Sequence, residues 1–363
     1  MKVTGYRLAM LRVPLRTPFK TALRQVEQVE DVVLLLESEC GKIGYGSAPA
    51  TMAITGRDHL SILESLKNSL LPWVKQQEFG DLNSLLSLLA LAPSYNVNAR
   101  SALEIAVFDL AAQIENVPLV AYLGGGSMQL STGITISVGD PKTMVASARS
   151  AVERGFTSLK LKVGGNPEED IARVTQVADV VGSTARLYLD ANQAWSSDQA
   201  IAVIGALNAQ GLSVDLLEQP VAASDLAGLM KVRLALDTPV MADESVFDAH
   251  DAARLIELGA ADILNIKLVK SAGISDALAI ADIAADAQVS CMMGCMLESS
   301  IGVSAAAHVA AARSSAIARV DLDAPMLCRQ NPVVGGTLFD GPRVQLNASP
   351  GLGINSVQGL EFL

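Results

Sequence analysis

Aromatic side chains are scarce in this chain of 363 residues: Phe, Trp and Tyr together make up 4%. Half of the residues are nonetheless hydrophobic, so the core must be mostly Ala, Val, Leu and Ile. Charged residues are also few, at 18%. That excludes an intrinsically disordered chain, because so apolar a sequence can bury enough surface to offset its conformational entropy. Positive charge is in deficit, with a formal net charge of −11, and no basic run could track a phosphate backbone. Nucleic acid is excluded as a partner. Cysteine is limited to Cys40, Cys291, Cys295 and Cys328, with no CxxC pair. Cys291 and Cys295 have no nearby His or Cys to complete a zinc site, so all four are expected as buried free thiols in a reducing cytoplasm. No apolar run approaches the roughly 20 residues of a membrane span. The opening MKVTGYRLAMLRVPL is too polar for a signal peptide. A cytoplasmic protein without a membrane partner is expected.

What the chain does have is a repeat. Its first ~125 residues differ from the rest, a boundary good to several residues. They show β-like runs at 3–13, 31–38 and 43–46, then helical patterns near 57–77, 81–90 and 97–115. Leu123-Gly124-Gly125-Gly126 reads as a turn between domains. From about 132 short β-like runs alternate with Ala-rich helical patterns. The runs lie at 132–138, 158–163, 186–190, 214–218, 239–243, 262–267, 289–293 and 317–321. The helical patterns include 167–181, 196–209, 224–235, 248–257, 273–285 and 300–311. Such units of roughly 25–30 residues are βα repeats. Eight of them favour a closed α/β barrel over an open sheet. No GxGxxG follows an early strand, which disfavours a dinucleotide-binding sheet. The expected domains are 1–125 and a barrel at 126–324, with ~325–363 returning to pack on the first.

Charged residues stand at the ends of these strands. In Ser158-Leu159-Lys160-Leu161-Lys162-Val163 the two lysines share one face and the leucines the other. Helices cover the leucine face, so Lys160 and Lys162 point into the barrel, where burying ammonium groups is costly without a partner or a function. The next three strands end at Asp190, Glu218 and Asp243, spaced by 28 and 25 residues. Adjacent strands lie ~4.8 Å apart, so the three carboxylates converge. Asp190 or Asp243 alone would read as a helix cap. Three in register read as a site for a hard divalent cation, Mg²⁺ or Mn²⁺ rather than zinc. In Ile263-Leu264-Asn265-Ile266-Lys267 the last residue also faces inward. It comes from strand 6 of the barrel, diametrically opposite strand 2 with Lys160 and Lys162. A cation between two lysines suits removal of an α-proton beside a carboxylate, since it stabilises the enediolate. A lysine whose pKa is lowered by neighbouring positive charge is the base.

Together Lys160-x-Lys162, Asp190, Glu218, Asp243 within Ala-Asp-Glu-Ser, and Lys267 resemble the enolase superfamily, specifically its muconate lactonising branch. The resemblance spans essentially the whole chain. It implies an α+β capping domain before a (β/α)7β modified TIM barrel, and Mg²⁺ as cofactor. The mandelate racemase branch uses a late His base, and His59, His250 and His308 end no late strand. Met296-Leu297-Glu298-Ser299-Ser300-Ile301-Gly302 and Asp321-Leu322-Asp323 resemble dipeptide epimerases. The resemblance implies that Asp321 and Asp323 hold the free ammonium of a dipeptide, and their alternation onto one face agrees. The loop Pro18–Arg24 is similar to that of epimerases acting on Ala-Glu, with Arg24 clamping a side-chain carboxylate. Thr135, Glu298 and Ser299 complete the candidate substrate contacts. Ser47 departs from the pattern, since relatives usually carry Glu there. The expected function is Mg-dependent 1,1-proton transfer on a dipeptide by a homo-oligomer. The alternatives are an o-succinylbenzoate synthase or N-succinylamino acid racemase and, in another class, a non-catalytic metal-binding scaffold.

Overall fold

The computed structural model describes residues 1–21, 25–93 and 96–363. Arg24 therefore lies outside the described residues. Strands β1 (Val3–Lys20), β2 (Gln25–Ser38) and β3 (Ile43–Pro49) form an antiparallel sheet. Alternation along β2 is apolar on both faces. Val32, Leu34 and Leu36 join the main core, while Val33 and Leu35 join a second cluster with Ile301, Cys328 and Val333. The β1–β2 hairpin is longer than the sequence pattern indicates, because its outer arms pair as backbone while their side chains stay largely exposed.

The single helix expected at 57–77 is broken into His59–Ser65, a π-helical turn Leu66–Leu70, and Leu71–Val74. Pro72 has no N–H to give the carbonyl four residues back, and the ladder widens before it. The helix Val97–Ile114 lies against β3, as close as glycine allows. A Cβ on Gly46 would sit 2.0 Å from the carbonyl oxygen of Ala102, and one on Gly44 2.2 Å from that of Ala106. On the same helix the buried Asp109 accepts the N–H groups of Tyr45 (2.8 Å) and Leu352 (2.7 Å), tying β3 to the C-terminal segment.

After a short strand β4 (Gln129–Ser131), eight parallel strands follow in chain order, each paired with the next. They are β5 (Ile134–Ile136), β6 (Ser158–Lys162), β7 (Arg186–Asp190), β8 (Leu216–Glu218), β9 (Val240–Ala242), β10 (Ile263–Ile266), β11 (Ser290–Gly294) and β12 (Ile317–Asp321). They coincide with the eight runs read from the sequence to within two residues at either end. The sheet curls nearly closed, so that Lys160 of β6 reaches Asp321 of β12 at 3.0 Å. The chain end returns to the first sheet, where Phe362 pairs with Ala9 of β1. All four cysteines are free, but Cys40 is exposed in the turn between β2 and β3 and Cys295 is only partly buried. The expectation of four buried thiols thus fails at these two: Cys40 sits in a surface turn, and Cys295 packs against the core but borders the cavity at the barrel mouth. Among the described residues, no helix is long and apolar enough to cross a membrane.

Two glycines with opposite surroundings test this packing. Gly46→Ala drives a methyl into helix backbone and is expected to cost about 3 kcal/mol, the upper end for overpacking. Gly205→Ala, at an exposed position of the helix Ser197–Ala209 with nothing within 4 Å, is expected to stabilise by roughly 0.5–1 kcal/mol. Urea unfolding of both variants measures the pair. Similar values for the two would contradict the close approach of β3 to its helix.

Candidate active site

The barrel interior is layered by the two-residue period of its strands. Tyr188, Leu216, Met241, Ile263 and Met292 form an apolar plug. One step further along β7, β8 and β10 stand Asp190, Glu218 and Asn265, and beyond β9 stands Asp243. Lys160 and Lys162 project from β6 into this polar layer, and Lys267 follows β10. All are buried, the three lysines being 2%, 6% and 7% exposed. Asp190 and Asp243 cap nothing, because the helices that follow are capped by Ser196 and Asp248.

Every carboxylate here faces an ammonium. Lys160 Nζ lies 3.0 Å from Asp190, 2.7 Å from Glu218 and 3.0 Å from Asp321. Lys162 pairs with Asp190, and Lys267 lies 2.6 Å from Asp243. Burial alone would push these acids up. Lys160 and Lys162 overcome it at Asp190, bringing its carboxyl to about 2. At Asp243 the opposing lysines, led by Lys267, hold the carboxyl far below its ordinary value. Glu218 goes the other way, to about 8, through burial and the neighbouring charge of Asp190. Its Oε2 also makes no hydrogen bond, since Lys160 is close but off the bonding direction. Glu244, next to Asp243, is raised to about 7 by burial and then by Asp243. Lys267 feels burial and its acid neighbours in opposite directions. Burial lowers it, but the attraction of Asp243 and other acids outweighs burial and raises it.

As they stand, no three His, Cys, Asp or Glu side chains among the described residues are set to hold an ion, because the carboxylates are turned to the lysines. The donor chemistry fits a hard divalent cation all the same. Asp190, Glu218 and Asp243 offer only oxygen, are close enough to shift one another's pKa, and include one buried oxygen without a hydrogen bond.

Sequence reasoning missed three residues that hold this layer. Gln219 follows Glu218 with φ +32°. Its Oε1 accepts the N–H of Asp243 (2.8 Å) and its Nε2 donates to Ser245 Oγ (2.8 Å) and to the Val221 carbonyl (3.0 Å). Lys270 is 1% exposed and donates to Asp243 Oδ1 at 2.6 Å. Gly294 on β11 leaves room for its neighbours, since a Cβ there would lie 2.6 Å from Asn265 Oδ1 and 3.0 Å from Lys267 Cε. The Lys267–Lys270 spacing and the Glu-Gln-Pro run were visible, but their partners lie on other strands.

A cavity of about 70 Å³ opens over the layer, lined by Lys162, Lys267, Asn192, Asp243 and Glu244 below and by Phe19, Ile54 and Leu297 around the rim. A larger hollow of about 290 Å³ beside Arg16 and Arg154 contains none of these groups. Asp321 points at Lys160 and keeps Oδ1 without a partner, while Asp323 accepts the backbone N–H of Thr135 at 2.6 Å. Burial, then the charge of Asp321, raises Asp323 to about 6. Glu298 and Ser299 are not brought to this cavity. They lie under the first sheet, where Ser299 donates its N–H to Asp31 (2.9 Å) and its Oγ lies 3.3 Å from Ser47 Oγ. Glu298 accepts the N–H of Met296 (2.9 Å), and its Oε2 has no hydrogen-bond partner.

Comparison with known proteins agrees with this architecture. Residues 4–124 match the mandelate racemase / muconate lactonizing enzyme N-terminal domain, and 143–358 match the enolase C-terminal domain-like family. The chain is 42% identical to the L-Ala-D/L-Glu epimerase of Clostridium acetobutylicum, covering 96% of this chain and 97% of that one. The substrate-liganded L-Ala-D/L-Glu epimerase of Bacillus subtilis superposes with TM-score 0.95 at 39% identity, covering 98% and 99%. A dipeptide epimerase from Enterococcus faecalis, complexed with Mg and the dipeptide L-Leu-L-Tyr, superposes with TM-score 0.92 at 36% identity, covering 98% and 100%.

The buried acid between sheet and barrel yields a pH prediction. Burial, then the charge of Asp31, raises Glu298 from 4.5 to about 8. Over that window the folded state keeps a proton that the unfolded state releases, so stability falls as pH rises from about 4.5 to about 8. Glu298→Gln stays neutral and loses this term. The difference in unfolding free energy between parent and variant should change by up to about 1.4 kcal/mol per pH unit across the window. Parallel urea-stability curves from pH ~5 to ~8 would refute a protonated Glu298.

Proposed function

Because the chain belongs to the enolase superfamily, in its mandelate racemase / muconate lactonizing enzyme group, we propose that it is an isomerase that epimerises dipeptides. The reaction is a 1,1-proton transfer at the α-carbon of the C-terminal residue. The observation that carries this reading is two buried lysines, from strands 2 and 6 of eight, lining one cavity beside three strand-end carboxylates.

In this reading Asp190, Glu218 and Asp243 hold Mg²⁺. When bound, it supplies positive charge to the substrate carboxylate and stabilises the developing enediolate. The residues of the chain do the rest. Lys162 takes or gives the proton on one face of the α-carbon and Lys267 on the other. Lys160 contributes charge that stabilises the enediolate. Asp321 and Asp323 receive the free ammonium of the dipeptide, with Thr135 fixing Asp323 through its N–H. Arg24 clamps a carboxylate on the second side chain, which favours Glu there. Ligand pockets usually exceed roughly 300 Å³, and this cavity is about 70 Å³. In this reading Lys162 and Lys267 draw back from their carboxylates as substrate and ion enter. The free thiols accord with a cytoplasmic setting. An N-succinylamino acid racemase or o-succinylbenzoate synthase would leave Asp321 and Asp323 without a substrate cation, and a scaffold would leave the lysines without a use.

Three measurements test the reading. Chelation should abolish epimerisation and Mg²⁺ should restore it, whereas full activity in metal-free enzyme would refute the ion's role. Acetylating the dipeptide N-terminus should lower turnover on the order of 10–150-fold, the effect of losing about 1.5–3 kcal/mol of charged hydrogen bonding. Equal turnover of both forms would favour the acylamino acid racemase. Lys162→Ala and Lys267→Ala should each stop net epimerisation yet retain α-proton exchange with D₂O for opposite configurations, and Lys160→Ala should slow both. Loss of the same configuration in Lys162→Ala and Lys267→Ala would rule out two-face proton transfer.

A further inference from the structure

We propose that Lys270 is a positioning residue that ties down one oxygen of Asp243 and leaves the other free to face the ion. The inference rests on the reading of Asp243 as a metal ligand. Lys270 Nζ donates to Asp243 Oδ1 at 2.6 Å, to the carbonyls of Val246 and Asn265 at 3.1 Å each, and to the carbonyl of Asp243 itself. An ammonium has three donors, and these four acceptors use all of them. Three of the acceptors are backbone carbonyls, so their positions are fixed by β10 and by the loop after β9. Lys270 is 1% exposed and is not among the residues lining the cavity. It has no path to a substrate proton.

The contrast with the other three lysines carries the argument. Among the described residues, Lys160, Lys162 and Lys267 pair at their tips with carboxylates, Lys160 also lying 5.7 Å from the Tyr188 ring, and carboxylate anchors change when the carboxylates take another partner. Lys270 keeps its carbonyls whatever occupies the mouth. The two oxygens of Asp243 are divided accordingly, Oδ2 to Lys267 at 2.6 Å and Oδ1 to Lys270 at 2.6 Å. When Lys267 withdraws, Oδ2 is released and Oδ1 stays bound. Lys270 also governs where Lys267 starts. The backbone N–H groups of Lys270 and Ser271 both donate to the Lys267 carbonyl, at 2.9 and 3.0 Å, so one turn carries the base and the brace of the acid opposite it.

The test is titration of Mg²⁺ alone, by calorimetry, into the parent, Lys270→Met and Lys270→Gln, with Asp190→Asn as the control for the site. Circular dichroism and thermal unfolding without added metal establish that each variant is folded. We expect Lys270→Met and Lys270→Gln to bind Mg²⁺ about 10–100-fold more weakly than the parent, the usual effect of removing a group that orients a ligand. A folded Lys270→Met with affinity within about threefold of the parent, well short of that range, overturns the proposal. So does failure of both variants to fold, which makes Lys270 a folding residue. A parent that binds no Mg²⁺, or binds it as well after Asp190→Asn, overturns the reading of the metal site itself and is told apart from a defect confined to the Lys270 variants.

Discussion

Charge balance inside the barrel mouth is the constraint on which the rest of this molecule depends. Asp190, Glu218, Asp243 and Asp321 are buried together with Lys160, Lys162, Lys267 and Lys270. Isolated ions at this depth would carry a prohibitive desolvation penalty, so each must be compensated by a neighbour. The compensation is also what makes the site responsive. Lys267 is raised because Asp243 outweighs burial. Drawing Lys267 off Asp243 removes that attraction and leaves burial, which favours the neutral amine.

The same balance explains which parts of the site were legible in the sequence. Period-two alternation put Lys160 and Lys162 on one face and Asp190, Glu218 and Asp243 at neighbouring strand ends. These positions depend only on local backbone geometry and on the order of strands. The barrel strands were legible for the same reason, because each is an apolar run bracketed by helical periodicity. Gln219, Lys270 and the inward turn of Glu298 were not legible. Their roles are set by partners 24 to 27 residues away or, around Glu298, by the first sheet across the domain boundary, where Ser299 beside it bonds Asp31. The π-helical turn before Pro72 and the outer arms of the β1–β2 hairpin escaped for the opposite reason. There the backbone is ordered without an apolar pattern to announce it.

Sheet and barrel are joined by buried polar contacts. Glu104, on the helix behind β3, accepts the N–H and hydroxyl of Ser275 at the start of the helix that follows Lys267. A Cβ on Gly273 would meet the Glu104 carboxylate at 2.6 Å. Asp31 reaches Ser299 across the same boundary. Each contact satisfies a donor that would otherwise be buried and unpaired, at a cost of about 1–3 kcal/mol. The first sheet and its helix are thus part of the support of the loops after β10 and β11.

The backbone beyond the strands holds the acids in place. Pairing continues past the carboxylates, with Ala191 donating to Glu218, Gln193 to Gln219 and Trp195 to Pro220. Asn192, Gln193 and Gln219 have positive φ of 44°, 70° and 32°, a region that side-chain-bearing residues rarely adopt and that persists only where the surroundings enforce it. At Gln219 the side-chain amide is bonded to Val221, Asp243 and Ser245, Asn192 donates its N–H to Asp190, and Gln193 donates its N–H to the Gln219 carbonyl and accepts that of Ala223. Asp190 and Glu218 leave the backbone just before these strained positions, and Asp243 is clamped by Gln219 through its N–H. Lys160, Lys162 and Lys267 reach the same layer on long side chains whose ammonium groups pair with these carboxylates, so the acids are fixed by the backbone and the lysines by the acids.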